Sequence, residues 1–219
     1  MRIRGKEKVP ALLESAAPLI YEAESGLLIP PAPYEQAFTS LEIGCGRGTF
    51  ITTLAQMHPD RWFIAIDKYT PIVARAAMLA MEMGLKNIRV IDMDVEQILT
   101  VLGTQSVDRI YLNFSDLWPR RRNHSKRLTH PRFIPLYLDV LREGGRLQMK
   151  TDNRELFDYS LKTLELGFTM LNVHYDLPVN ASVGEQTDGA FTEAFVQTEY
   201  EQKFRALGQP IHYLLATRR

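Results

Sequence analysis

The chain has 219 residues, 45% of them hydrophobic and 24% charged, and its 26 basic and 26 acidic side chains cancel. Those values suit a folded domain with a large core and exclude a disordered or uniformly basic chain, so a polyanionic partner must be met by a local patch. One cysteine, Cys45, excludes an internal disulfide and a thiolate metal cluster.

No uninterrupted apolar run reaches the roughly 18 residues that a membrane helix needs. The basic start, Met1 to Lys6, is not followed by an apolar core of signal-peptide length, so a cytoplasmic location without membrane attachment is expected. Residues 1–40 are irregular and punctuated by Pro10, Pro18, Pro30, Pro31 and Pro33. They read as an arm with a short helix over Ala11 to Ala17, not as an independent domain. Residues 41–219 read as one domain.

From Leu41 onward strand and helix alternate. Leu41 to Ile43 is a strand leading into Gly44-Cys45-Gly46-Arg47-Gly48, and Thr49 to Met57 has helical periodicity that stops at Pro59. Trp62 to Ile66 is a second strand ending on Asp67. Thr70-Pro71 starts a helix, with threonine as cap and proline in the first turn, and Gly84 ends it. Ile88 to Ile91 is a third strand, reaching Asp92 and Asp94, and Val95 to Leu102 a short helix. Asp108 to Phe114 is the fourth strand. An amphipathic helix carrying Phe133, Leu136, Tyr137, Val140 and Leu141 closes at Gly144-Gly145, and a fifth strand, Arg146 to Thr151, follows it. A helix from Arg154 to Leu166, strands over Phe168 to Tyr175 and Ile211 to Thr217, and a long polar loop, Asp176 to Thr198, complete the chain. The pattern predicts an α/β fold: a mostly parallel sheet with helices on both faces.

Ligands of such sheets bind beyond the carboxyl ends of the strands. Glu42, Gly44, Asp67, Asp94, Asp116 and Asp152 all fall there, although a single acid at a strand end is usually a turn or cap. The glycine turn has Thr49 where a dinucleotide fingerprint has its third glycine. A carboxylate at Glu42 repels a pyrophosphate and attracts an ammonium or sulfonium, while Asp67 suits the two hydroxyls of a ribose. An amine, a ribose and no phosphate describe S-adenosylmethionine better than NAD.

The fourth strand leads into Asn113-Phe114-Ser115-Asp116-Leu117-Trp118-Pro119-Arg120-Arg121-Arg122. Basic residues at 120, 121, 122, 126, 127 and 132 follow, with no acid between Leu117 and Leu138. A solvated charged face is the plain explanation; phosphate contact is the one that the missing acids favour. Trp118 either packs on a base or wedges the loop. Asp152-Asn153 either caps the following helix or meets a base, and the two are compatible. His124 and His130 lack metal-ligand spacing with any other candidate, so no metal site is expected, and Cys45 has no partner base in view.

The glycine motif resembles the cofactor motif of class I methyltransferases. Together with Lys126-Arg127-Leu128, Lys150-Thr151-Asp152-Asn153 and Thr198-Glu199-Tyr200-Glu201-Gln202-Lys203-Phe204, the Asp116 stretch resembles the bacterial tRNA (guanine-N7)-methyltransferases from about Leu41 to the C-terminus. The resemblance implies a Rossmann-like sheet of seven strands, the last antiparallel, and a monomer or homodimer that methylates N7 of guanine at position 46 in the tRNA variable loop. By resemblance Glu42, Gly44, Gly46, Asp67, Asp94 and Asp116 bind S-adenosyl-L-methionine, and Asp116 is also catalytic. Arg120, Asp152, Thr198, Glu199, Tyr200 and Glu201 match substrate positions, and Arg122, Asn123, His124, Ser125, Lys126 and Arg127 match the stretch that touches RNA. Leu117 and Arg120 stand where the family usually has Pro and Lys, which alters the rigidity of the loop and the shape of its charge. Asn180 to Glu185 is the extra part of a longer than usual loop. The alternatives are a methyltransferase for another RNA site or a small molecule, and a tRNA-binding protein without activity.

Overall fold

The computed structural model describes residues 9–22, 25–179 and 193–219. In chain order the elements are α1 (Val9–Ala16), β1 (Ile20–Tyr21), β2 (Thr39–Ile43), α2 (Thr49–Met57), β3 (Trp62–Asp67), α3 (Thr70–Glu82), β4 (Ile88–Asp92), α4 (Ile98–Val101) and β5 (Val107–Asn113). There follow α5 (Ile134–Val140), β6 (Leu141–Thr151), α6 (Arg154–Leu164), β7 (Phe168–His174), α7 (Glu199–Ala206) and β8 (His212–Arg218). The strands form one sheet in the order β1-β4-β3-β2-β5-β6-β8-β7. Neighbours from β1 to β6 pair parallel, and β8 runs antiparallel to both β6 and β7. All seven expected strands are present, with the last one antiparallel. The arm adds an eighth, the two-residue β1, whose Ile20 pairs with Val90.

Two boundaries differ from the sequence reading. The helix before Gly144-Gly145 ends at Val140, because Leu141 turns to extended backbone (φ -71°, ψ 135°). It then pairs with Val107, the register shifting before Arg109, so β6 runs through the two glycines. The helix expected over Val95 to Leu102 is a 3-10 turn, Val95–Gln97, followed by the single turn of α4. Asn180 to Glu185, expected as the extra part of the long loop, lies outside the described residues.

Strand alternation gives the sheet two unlike faces. On one, Leu41, Ile43, Ile64, Ile66, Ile110, Leu112, Leu147 and Met149 are buried with side chains of α4, α5 and α6. Each such side chain contributes about 1.5–3 kcal/mol by leaving water. On the other, Phe63, Ala65, Val90 and Tyr111 meet Phe50, Ile51 and Leu54 of α2 and Val73, Ala76, Ala77 and Ala80 of α3. Ala16 and Leu19 of the arm join this second cluster. The same face carries buried Ser40, Glu42, Arg109, Asn113, Gln148 and Lys150. Among the described residues no helix is long and apolar enough to cross a membrane.

Candidate functional site

A cleft of about 940 Å³ opens at the carboxyl ends of β2, β3, β4 and β5. Its walls include Glu42, Gly44, Gly46, Asp67, Asp94, Asn113, Asp116 and Trp118, with Thr198, Glu199, Tyr200 and Lys203 from the far side. Acids at or just beyond the ends of these four strands, Glu42, Asp67, Asp94 and Asp116, are therefore brought to one cavity.

The glycine turn forms one wall. Gly44, Gly46 and Gly48 have φ of 76°, 55° and 84°. A side chain at Gly48 would also put its Cβ 2.8 Å from the Cβ of Ala76, so glycine there lets α2 start directly against α3. The amides of Gly44 and Cys45 both donate to the Ile66 carbonyl, at 2.8 and 3.0 Å, which folds the turn across the end of β3. There Asp67 accepts from the Gly46 amide at 3.1 Å and the Tyr69 amide at 3.0 Å. Each carboxylate oxygen keeps a second lone pair. Burial raises the Asp67 carboxyl above its ordinary value, opposed by these amides. Asp94 caps the turn after β4 by accepting from the Glu96 amide at 3.2 Å, and Lys68 lies 3.7 Å from it.

Glu42 lies on the floor, 2% exposed. Its Oε1 accepts from Asn113 Nδ2 at 2.9 Å, whereas its Oε2 and Asn113 Oδ1 are buried without a hydrogen-bond partner. Burial pushes the Glu42 carboxyl up to about 8; the Asn113 hydrogen bond and the Lys150 charge oppose that rise, and Asp67 adds to it. The Cys45 thiol is pushed up by burial and by the neighbouring charges of Glu42 and Asp67.

Asp116 sits at the mouth, exposed, on a loop whose backbone is held in unusual conformations on both sides of it. Phe114 and Trp118 have φ of 50° and 46°. Left-handed backbone at bulky residues costs about 1–3 kcal/mol each, and surrounding contacts must hold it. Those contacts are present. The Phe114 amide donates to the Lys150 carbonyl at 2.8 Å, and its ring stacks on Phe204 at 5.9 Å. Lys126 and Lys68 lie 4.8 and 6.0 Å from the centre of the Trp118 ring.

Arg127 is placed unlike its basic neighbours. It is 1% exposed and faces inwards, donating to the Leu117 carbonyl at 2.9 Å and to Glu155 at 2.8 Å, with its guanidinium 4.7 Å from the Tyr159 ring. It braces the loop from within and presents no charge to a phosphate. His124 is tied to it, Nε2 to Nη2 at 3.1 Å. Arg120, Arg122, Ser125 and Lys126 remain exposed, and Asn123 is half-buried. Ser125 and Lys126 reach the cleft wall; Arg120, Arg122, Asn123 and His124 lie outside it.

The helical wall places its expected substrate residues differently from one another. Thr198 caps α7, accepting from the Glu201 amide at 3.0 Å. Glu199 reaches across to the glycine turn, accepting from Arg47 and Thr49 at 3.3 Å. Tyr200 is exposed. Glu201, expected at the substrate, is 0% exposed: Oε2 accepts from Lys150 at 2.6 Å and Oε1 from Arg205 Nη2 at 2.9 Å. It is buried behind the cleft wall and does not line the cavity. Asp152 is half-buried and outside the cleft wall, and the cap of α6 is its neighbour Asn153, which accepts from the Leu156 amide at 2.8 Å.

The sequence reading missed Asn113, Lys150 and Glu193 as organisers. Glu193 is buried between three groups, Arg61 at 2.6 Å, Arg109 at 2.9 Å and the Tyr111 hydroxyl at 2.5 Å. The signal was there: polar residues at alternate positions of buried strands, Arg109-Tyr111-Asn113 and Gln148-Lys150, require polar partners from elsewhere in the chain. Among the described residues no group of three His, Cys, Asp or Glu is placed to hold a metal ion.

A family model described as "Putative methyltransferase" matches residues 36–214. The tRNA (guanine-N(7)-)-methyltransferase of Levilactobacillus brevis is 44% identical over 177 residues, covering 80% of this chain and 78% of that protein. The protein of the same name from Lactococcus lactis subsp. cremoris is 34% identical over 99% of this chain and 97% of its own length. Among solved structures, the 16S rRNA methyltransferase KamB aligns with a TM-score of 0.60 at 12% identity, covering 99% of this chain and 95% of that one. A SAM-dependent methyltransferase from Aquifex aeolicus aligns at 0.57 with 16% identity, covering 99% and 100%. At those identities the structural matches speak for the fold.

Proposed function

The chain belongs to the tRNA (guanine-N7-)-methyltransferases, and we infer from that premise that it methylates N7 of the guanine at position 46 in the tRNA variable loop, with Asp116 holding the base. The enzyme uses S-adenosyl-L-methionine, which supplies a methyl group on a sulfonium centre. The floor of the cleft fits that cofactor. Glu42 Oε2 and Asn113 Oδ1 are buried without partners, and a cation bound beside them would displace the proton that burial favours on Glu42 and give both oxygens a donor. Asp67 keeps free lone pairs at the rim for ribose hydroxyls, and Gly44, Gly46 and Asp94 line the space between.

Guanine N7 is an unprotonated lone pair at neutral pH, so the protein need not remove a proton to activate it. Its first task is alignment, and good alignment is worth about 7–11 kcal/mol in favourable cases. Its second is charge. The purine becomes positive as the methyl arrives, so a carboxylate beside it binds the transition state better than the ground state. Asp116 is suited to this because it is exposed in the cleft, while the strained Phe114 and Trp118 on either side are held by Phe204 and by Lys126 and Lys68. It orients the base through the N1–H and amino group and takes no proton. Thr198 adds a hydroxyl on the opposite wall. Arg120, Arg121, Arg122, Lys126 and Arg132 remain at the surface for the RNA backbone. A guanine in a loop is reached once it is splayed out of its stack.

The observation that carries this reading is the pairing of Glu42, buried with a bare oxygen on the cleft floor, and Asp116, exposed at its mouth. The test is to incubate tRNA with methyl-labelled cofactor, then reduce it and treat it with aniline. Label should enter the RNA, and the strand should break at one guanine in the variable loop. Label in RNA that resists cleavage would place the methyl on another atom.

A further inference from the structure

The helix that walls the cleft is docked almost without apolar burial. Of the eight residues of α7, only Glu201 is buried. Phe204 adds a half-buried ring, stacked on Phe114. What meets Glu201 is Lys150, itself 0% exposed, at the end of β6. An ammonium has three donors, and those of Lys150 find Glu201 Oε2 at 2.6 Å, the Val196 carbonyl at 2.7 Å and the Ala194 carbonyl at 3.3 Å. All three acceptors come from one stretch, residues 194–201, and none from the sheet. The other charges facing Lys150 are Glu42 of β2 and Arg205 of α7. Burial pulls the ammonium below its ordinary value, and the Glu201 carboxylate is the chief force opposing that.

The consequences reach both sides of the cleft. Thr198, Glu199, Tyr200 and Lys203 stand in the wall only while α7 is held down. Phe204, on the same helix, stacks on Phe114, two residues before Asp116. Lys150 also fixes the other end of this contact, since its carbonyl accepts from the Phe114 amide.

We propose that Lys150 is the positioning residue of the substrate wall: acting through Glu201 and the Ala194 and Val196 carbonyls, it seats α7 and so sets the affinity for tRNA without touching it. Glu201 is then the anchor of the wall and not a ligand of the base. The inference rests on the methyltransferase reading above.

Three variants test it, each checked first for binding of S-adenosylhomocysteine by calorimetry, which reports an intact cofactor floor. In Lys150→Met the Ala194 and Val196 carbonyls lose their donor and the buried Glu201 charge keeps only Arg205, so KM for tRNA should rise about 100-fold or more. S-adenosylhomocysteine affinity should change by less than about fivefold, the share that the Lys150 field lends to Glu42. Amide exchange should accelerate across 194–206 but not in β5. Glu201→Leu should be as poor. The double variant Lys150→Met with Glu201→Leu replaces the ion pair by an apolar contact, which buried sites accept; its KM for tRNA should return to within about tenfold of wild type. If the double variant binds S-adenosylhomocysteine and keeps wild-type amide protection across 194–206 but stays as poor toward tRNA as Glu201→Leu, Glu201 acts on the RNA directly and the inference fails. An unchanged tRNA KM in Lys150→Met overturns it as well. A wild-type chain that bound no S-adenosylhomocysteine would instead overturn the methyltransferase reading on which it rests.

Discussion

On one face of the sheet Leu41, Ile110, Leu112, Leu147 and Met149 pack against α4, α5 and α6 as continuous oil. On the other, in the same strands and one residue out of step, stand Ser40, Glu42, Arg109, Asn113, Gln148 and Lys150, all buried. The first face holds itself together by area removed from water. The second is met by charges from far along the chain: Glu193 joins Arg61 and Arg109, and Glu201 joins Lys150. Buried ion pairs add little net stability compared with apolar packing, but breaking one is costly. The polar face therefore contributes mainly placement. It seats the segment 193–206 and ends, at the cleft, in Glu42 and Asn113.

That contrast can be broken by substitution. The largest effect on stability belongs to the apolar face. Leu112→Ala should cost about 2–5 kcal/mol in urea denaturation, while the protein that remains folded keeps its tRNA KM. A changed KM with unchanged stability would erase the distinction. At the cleft the expectation reverses. Asp116→Asn, at an exposed position, should leave the melting temperature unaltered and lower kcat by about 100-fold or more. Full turnover in Asp116→Asn with none in Asp116→Ala would mean that the shape of the side chain matters and not its charge.

Glu42 gives a smaller, pH-dependent signature. Its folded value of about 8 lies above the ordinary 4.5, so the folded state holds a proton that the unfolded state has lost. Its contribution is complete below 4.5 and is lost as pH rises toward 8, at up to about 1.4 kcal/mol per pH unit. The melting temperature of the cofactor-free protein should fall over that window, and Glu42→Gln should flatten the fall. A wild-type profile that rose over the same window would contradict the burial argument. The smallest effect is expected at the surface loop. Arg122→Ala should reduce the salt dependence of tRNA binding by about one phosphate's worth, whereas the buried Arg127 should act on stability instead.

Most of the fold was legible because it rests on periodicity. The strands from β2 to β8 and the acids at their ends follow from alternation and from where each run stops. The edge strand β1 was hidden by its length of two residues. Leu141 fits a helix by its spacing from Tyr137, yet its pairing with Val107 prevails. In the site, local features were readable: the glycine turn, Asp67 after its strand, and Asp116 beside the basic loop. What was not readable was orientation. Arg127 sits in a basic run and looks like its neighbours, but its guanidinium turns inward to the Leu117 carbonyl and Glu155. Glu201 sits in a motif tied by resemblance to substrate, but its partner Lys150 lies 51 positions earlier, and no local rule joins them. The polar alternation in β5 and β6 announced that partners must exist without saying which.

The most direct test uses tRNA carrying 7-deazaguanine at position 46, which removes the accepting nitrogen and leaves the base's other edges intact. The enzyme should bind this RNA as tightly as the normal one at the same salt concentration and transfer no methyl group to it. Undiminished transfer would show that the methyl goes elsewhere and that the cleft is built for another atom.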